Sequence, residues 1–332
     1  MTRSSYSLVL GLLALSACKD KDEPGDMPPT VDDTGWFDTD EVVACEGLIA
    51  ETQPADGESD WYWRDDPSIL VTVDDPAAYT ARLVGPDGQD VATTPVWTGL
   101  ELVLDAGEPL LADADYTLEI ADCDGTRTIA FHTDIYGKPL DGDPSTLDGL
   151  TWELDLVHAT WLEPAGLGAL LTLYFTTPVL LGVNFADPSD IDLVGAPGKK
   201  DNDGILVQDM AQPTWAFPVV PFTDAPYVSA TSANVVFSFS GVDVPVEDFA
   251  FEATFAPDAS SLGGVRLTGV ADTRNLGTFV NKPEDFGAIC ELAAGIGTVC
   301  IPCEDGMPYC LFMDVRDVEA ALVPGITLKE QD

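Results

Sequence analysis

Asp113-Ala114-Asp115-Tyr116-Thr117-Leu118-Glu119-Ile120-Ala121 decides the fold class. Tyr116, Leu118 and Ile120 alternate with Thr117, Glu119 and Ala121. A period of two puts one set on a buried sheet face and the other toward water, so the stretch reads as a half-buried strand. The same period recurs outward from it. Ile69, Val71 and Val73 alternate upstream, Leu100, Leu102 and Leu104 lie closer, and Ile129 and Phe131 follow an Asp124-Gly125 turn. Gly85-Pro86-Asp87-Gly88 and Thr98-Gly99 supply turns between these runs. Short strands separated by turn chemistry at regular spacing predict a β-sandwich over residues 42–136.

Three stretches carry a family resemblance: Gln53-Pro54-Ala55-Asp56-Gly57, the run from Leu110 to Leu118, and Ala130-Phe131-His132-Thr133. Together they resemble the bacterial Ig-like domains of S-layer and other surface proteins, over roughly ninety residues. The resemblance implies a spacer or interaction module without catalytic residues, and Tyr116 as its tyrosine corner. Cys45 and Cys123 would tie the first strand to a late hairpin, a departure from the usual disulfide between the two sheets.

A turn-rich boundary at 137–145 separates this module from a larger one at 145–332. Leu150, Trp152, Leu154 and Leu156 alternate as a strand, and Phe249, Phe251 and Phe255 share one face of another. Further strands are expected near 179–185, 205–208 and 235–239, with a long final strand at 309–315. Gly263-Gly264 reads as a turn leading into Val265 and Leu267. Two short helices are expected. One opens at Pro164 with Leu167, Leu170, Leu171 and Tyr174 at helical spacing, and the other spans 284–294 and stops at Gly295. The chain is therefore mainly β: an N-terminal Ig-like β-sandwich, then an antiparallel β-domain, barrel or sandwich, with two short helices.

The start of the chain points to the cell envelope. Arg3 precedes a short apolar run, Leu8 to Leu15, which is far below the ~20 residues needed to span a bilayer. Leu15-Ser16-Ala17-Cys18 resembles the lipobox of bacterial lipoproteins. That resemblance implies a signal peptide at 1–17, removed in the mature protein, and acyl chains on Cys18 as the membrane anchor. Residues 18–41 form an acidic, proline-containing tether that cannot bury enough surface to fold. Lys19, by resemblance to the sorting rule of enteric bacteria, favours the outer membrane, with its periplasmic or surface face left open.

With 58 acidic and 14 basic residues the chain carries a formal charge of -44, which excludes nucleic acid as a partner. Of its seven cysteines, six remain after lipidation, an even number expected to form disulfides in an oxidising compartment. Cys45 and Cys123 bracket the first module, while Cys290, Cys300, Cys303 and Cys310 cluster near the end, and their connectivity is open. Cys300-Ile301-Pro302-Cys303 also has the spacing of a redox dithiol or half a zinc site, but structural disulfides are the expectation. Asp201-Asn202-Asp203-Gly204 is half of a calcium loop without its downstream bidentate Glu, so Asp201 and Asp203 are weak candidate ligands. Trp61-Tyr62-Trp63 could stack on sugars, but its alternation is that of core packing.

Histidine is nearly absent, with only His132 and His158, in different modules. His132 is expected to be solvated on a polar strand face, and His158 to be hydrogen-bonded at a strand end. A serine or cysteine hydrolase is thereby disfavoured, and no nucleophile elbow, Walker loop or zincin helix is present. The leading expectation is a non-catalytic, membrane-anchored binding or scaffold lipoprotein that contacts a protein or glycan and needs no cofactor. Two alternatives carry tests. A hydrophobic-ligand carrier requires an apolar cavity of a few hundred cubic ångströms inside the second module. A carboxylate hydrolase requires a cleft with converging acids of shifted pKa.

Overall fold

Alternating burial along the predicted strands builds two stacked sheets in the first half of the described chain. A computed structural model describes residues 48–73, 75–122, 124–165, 177–239, 241–295 and 297–331. The signal, Cys18, the tether, Cys45, Cys123 and the body of the helix expected from Pro164 lie outside the described residues. One sheet has the order β1 (Ile49–Gln53), β3 (Ser68–Val71), β7 (Glu101–Asp105), β6 (Thr94–Thr98). The other runs β2 (Glu58–Trp61), β9 (Gly125–Thr133), β8 (Asp115–Asp122), β4 (Thr80–Val84), β5 (Asp90–Val91). Ile69, Leu102 and Leu104 from the first sheet meet Leu83, Leu118, Ile120 and Phe131 from the second in one core. The Tyr116 hydroxyl accepts a hydrogen bond from the Leu111 amide at 2.8 Å, the tie that defines a tyrosine corner.

The second half is one twelve-stranded sheet folded over on itself. Its strands are β10 (Thr151–Asp155), β11 (Thr160–Glu163), β12 (Val179–Ala186), β13 (Asp190–Lys200), β14 (Leu206–Gln208), β15 (Trp215–Ala216) and β16 (Val220–Pro221). Then follow β17 (Tyr227–Phe239), β18 (Val242–Phe255), β19 (Ser261–Asp272), β20 (Cys310–Arg316) and β21 (Glu319–Leu322). β17 to β20 make one layer, and β10, β12 and β13 belong to the other. Short β21 joins them by pairing with β19 on one side and β10 on the other. The sheet is not closed into a barrel. Between the layers Trp152, Leu181 and Ile191 pack against Phe249, Phe251 and Phe255. The phenylalanine periodicity of β18 is therefore a core face, as its spacing predicts.

Three local expectations need correction. Gly263 and Gly264 lie inside β19 and make no turn; the chain reverses earlier, around Ala256–Ser260, where Ala256 N bonds to Ser261 O at 2.9 Å. Tyr309 to Val315 corresponds to β20, but β21 follows it and is the later strand. The C-terminal helix α1 spans Ala288–Ala294, four residues shorter at its start than expected. There the Asp285 carboxylate accepts from Gly287 N, holding a turn in place of helix.

Residues 45–332 form one compact unit, so the two β modules share a contact surface. On the first module it is built from the segments just after β2 and β9, and on the second from strand residues that face away from the core.

Candidate functional site

A turn and strand parity place the side chains of this contact. Trp61, the last residue of β2, faces the first core and stacks edge-on against Phe131 at 6.4 Å, and Tyr62 and Arg64 follow in a turn closed by Asp65 N on Tyr62 O at 2.9 Å. On the second module, burial of Phe251 and Phe255 turns Glu252 and Thr254 outward, and burial of Val265 and Leu267 does the same for Gly264 and Arg266. Tyr62 meets this outward face.

Two tyrosines from the first module seat on the diglycine of β19. A Cβ on Gly264 would lie 2.0 Å from the Tyr62 ring, and one on Gly263 would lie 2.2 Å from that of Tyr136. Only glycine admits rings so close to the strand. Gly264 also holds φ +55, a conformation that L side chains rarely adopt. The Tyr62 hydroxyl pairs with Thr254 Oγ1 at 2.7 Å, and that of Tyr136 pairs with Ser261 Oγ at 3.1 Å. Burial pushes the Tyr62 phenol well above its ordinary pKa, with the Thr254 bond opposing, so it stays neutral. Arg64 stacks its guanidinium 3.7 Å over the Tyr227 ring, and its other neighbour is the Trp63 ring at 5.1 Å.

These contacts frame a cleft of about 840 Å³ between the modules, in the upper part of the range of ligand sites. Its walls carry Arg64, Arg266 and Arg316, three of the seven arginines in a chain of charge -44. Arg266 grips Asp314 through two bonds of 3.0 and 2.8 Å, and Arg316 reaches the same carboxylate at 3.4 and 3.3 Å. Burial pushes the Asp314 carboxyl up, but these guanidiniums outweigh it and hold it below the usual range.

Two acids from the first module face this arginine wall. Burial lifts Asp134 to about 7, against backbone bonds from Tyr136 and Trp63 that work the other way. Crowding by protein atoms lifts Asp65 to about 6, with Arg316 opposing. Asp65 still touches cleft water, so its carboxyl is crowded without being enclosed. No ion pair within 4.0 Å spans from Asp65 to Arg266 or Arg316 among the described residues. Opposite charges thus face each other across open space.

The residues singled out by sequence lie elsewhere. Cys290 pairs with Cys300 and Cys303 with Cys310, so the two cysteines of the C-x-x-C stretch have different partners. No dithiol forms there. Asp272 clusters with Cys303 and Cys310, but both sulfurs are in a disulfide and Asp272 is taken by Arg274, which leaves no thiolate for zinc. The Asp201 carboxylate accepts from the amides of Asp203 and Ile205, each at 2.9 Å, and so holds a tight hairpin turn between β13 and β14. Asp203 lies exposed in that turn.

His132 bridges Asp115 and Asp113 at 2.8 and 3.2 Å on an open face, and those bonds raise its pKa. His158 bonds Asp155 at 2.6 Å just beyond the end of β10. Inside the second module a gap of only about 10 Å³ is walled by Leu154, Val179, Trp215, Phe237 and Phe249. The paired rings of Trp215, Phe237 and Phe249 fill this part of the core.

The cleft escaped sequence reading because its two walls come from stretches about 190 residues apart, as the Tyr62–Thr254 pair shows. The core-type alternation expected of Trp61-Tyr62-Trp63 stops at Trp61, the last residue of β2; Trp63 lies in the turn beyond it, beside Arg64.

No family model matches the chain, and no curated protein does. Among solved structures, it is similar to SGBP-B of the Bacteroides ovatus mixed-linkage glucan utilization locus, solved in complex with a mixed-linkage heptasaccharide. The identity is 13% over 68% of this chain, and the TM-score is 0.20. The chain spans 64% of that protein's length, and at this TM-score the likeness carries no conclusion about fold or ligand.

Proposed function

We propose that the chain is a lipid-anchored cell-envelope protein that binds a neutral glycan in the cleft between its β modules. The observation that supports this most is the composition of the cleft walls. Arg64, Arg316, Asp65, Asp134, Glu252 and Tyr227 present planar hydrogen-bonding groups around about 840 Å³. An apolar ligand would strip water from these charged heads without replacing their hydrogen bonds. A polyanion would meet the acidic walls and the overall negative charge. A hydroxyl-rich neutral ligand satisfies carboxylates and guanidiniums alike. The anchor rests on the lipobox resemblance at Cys18.

Native electrophoresis through gels containing xylan, β-mannan, laminarin, dextran or barley β-glucan tests the binding. At least one should retard the purified body, and Glu252→Gln or Tyr227→Ala should abolish the retardation. No retardation in any gel, or retardation untouched by both substitutions, would overturn the proposal. Detergent partitioning of Cys18→Ser against the parent tests the anchor separately.

A second use of the same site has its own observation. Asp134 near 7 and Asp65 near 6 resemble the acid and carboxylate that hydrolyse glycosidic bonds. Release of reducing ends from a retained glycan, lost in Asp134→Asn and Asp65→Asn, would favour hydrolysis over binding alone.

A further inference from the structure

The central cleft does not stand alone. A second cavity of about 390 Å³ adjoins it, and Glu319 and Ala321 of β21 line both. A third, of about 210 Å³, also adjoins it, and Arg64 and Asp65 of the first module line both. Three hollows with shared walls therefore follow one another in a row, from β10 of the second module to the 105–110 loop of the first.

Strand register explains the floor on the β10 side. Ser261 pairs with Ala321, and Ala321 pairs with Glu153. These three residues form a straight cross-strand row over β19, β21 and β10. Neighbouring strands lie ~4.8 Å apart, so the row extends about 10 Å from the cleft. On the other side, Asp66 accepts from Ala106 N at 3.0 Å, and Leu110 N bonds to Trp63 O at 2.9 Å. These bonds fix the 105–110 loop against the Trp63–Asp66 segment. Carboxylates recur along the row: Glu153 at one end, Glu252 in the middle, Asp65 and Glu108 at the other.

We infer that the three hollows form one trough, and that its ligand is the interior of a linear glycan chain laid along it. This deepens the neutral-glycan proposal and rests on it. A compact solute would use only the middle. A polymer whose hydroxyls recur with every sugar uses a row of carboxylates that recur in all three hollows.

Calorimetric titration with a ladder of linear oligosaccharides, from disaccharide to decasaccharide, tests this for the xylan, mannan, laminarin and β-glucan series. The partner variants are Glu153→Ala and Glu108→Ala, both at exposed positions. Affinity should continue to rise with length beyond the oligomer that saturates the middle. Each end variant should weaken the longest chains about 2–10-fold, the loss of one hydrogen bond, and leave the shortest binders unchanged. An affinity plateau at short length, with both end variants equal to wild type, would overturn the trough while leaving a pocket-like glycan site. Absence of binding at every length in every series would overturn the glycan proposal itself.

Discussion

Replacing Gly264 by alanine should unseat Tyr62. The new Cβ would lie 2.0 Å from the ring, against a backbone at φ +55. Placing alanine in the left-handed region costs roughly 1–2 kcal/mol. The ring must then either stay overpacked, at roughly 1–3 kcal/mol, or leave. If it leaves, it forfeits its burial and the 2.7 Å bond to Thr254, a bond worth about 1 kcal/mol. Gly264→Ala should therefore destabilise the protein by about 3–4 kcal/mol. In a Tyr62→Ala background the ring is gone, and the same substitution should cost only the backbone share of roughly 1–2 kcal/mol. Urea unfolding of the four proteins completes the cycle and should give a coupling of about 2 kcal/mol. Equal costs of Gly264→Ala with and without Tyr62 would refute the seat, and with it the account of why glycine stands inside β19.

Asp134→Asn should act through pH. The folded carboxyl titrates at about 7 against an ordinary 3.8, so the fold disfavours its charged form. Stability is lost as pH rises between those values, and asparagine escapes that loss. The full shift corresponds to about 4 kcal/mol, which contact with cleft water reduces to about 2. The variant should be the more stable near pH 8 and equal to wild type near pH 4; a difference that ignores pH would refute this. Tyr116→Phe leaves the Leu111 amide without its 2.8 Å acceptor and should cost about 1–2 kcal/mol in thermal unfolding; an unchanged midpoint would dismiss the corner as a support. Asp201→Ala should cost about 1 kcal/mol through its turn, with identical melting curves in calcium and in chelator for the parent. A midpoint raised by calcium would make the loop a cation site after all. Peptide mapping without reduction should recover Cys290 linked to Cys300 and Cys303 linked to Cys310. A Cys300–Cys303 crosslink would contradict the structure.

Period-two alternation made both cores legible, because burial on one sheet face writes itself into adjacent residues. Tyr116, Leu118 and Ile120 are all buried, as are Phe249, Phe251 and Phe255. Gly263-Gly264 was misleading for a physical reason. Glycine serves tight turns and close approaches alike, and only the distant Tyr62 and Tyr136 reveal which applies here. The charged cleft was illegible for a related reason. Among 58 acidic residues, nothing local distinguishes Asp65 and Asp134 from those on the surface. Their shifts arise from crowding by the facing module, which sequence order does not announce. The cysteine pairing stayed open because four cysteines within twenty-one positions allow three arrangements.

β21 has a consequence for how the molecule is made. Among the described strands it comes latest in the sequence, and it alone joins the two halves of the twelve-stranded sheet by strand pairing, through β19 and β10. A polypeptide halted before Glu319 would possess nearly every strand and yet lack the strand pairing that joins the two half-sheets. Such a product would present the unpaired edge of β10 to proteases and to other chains.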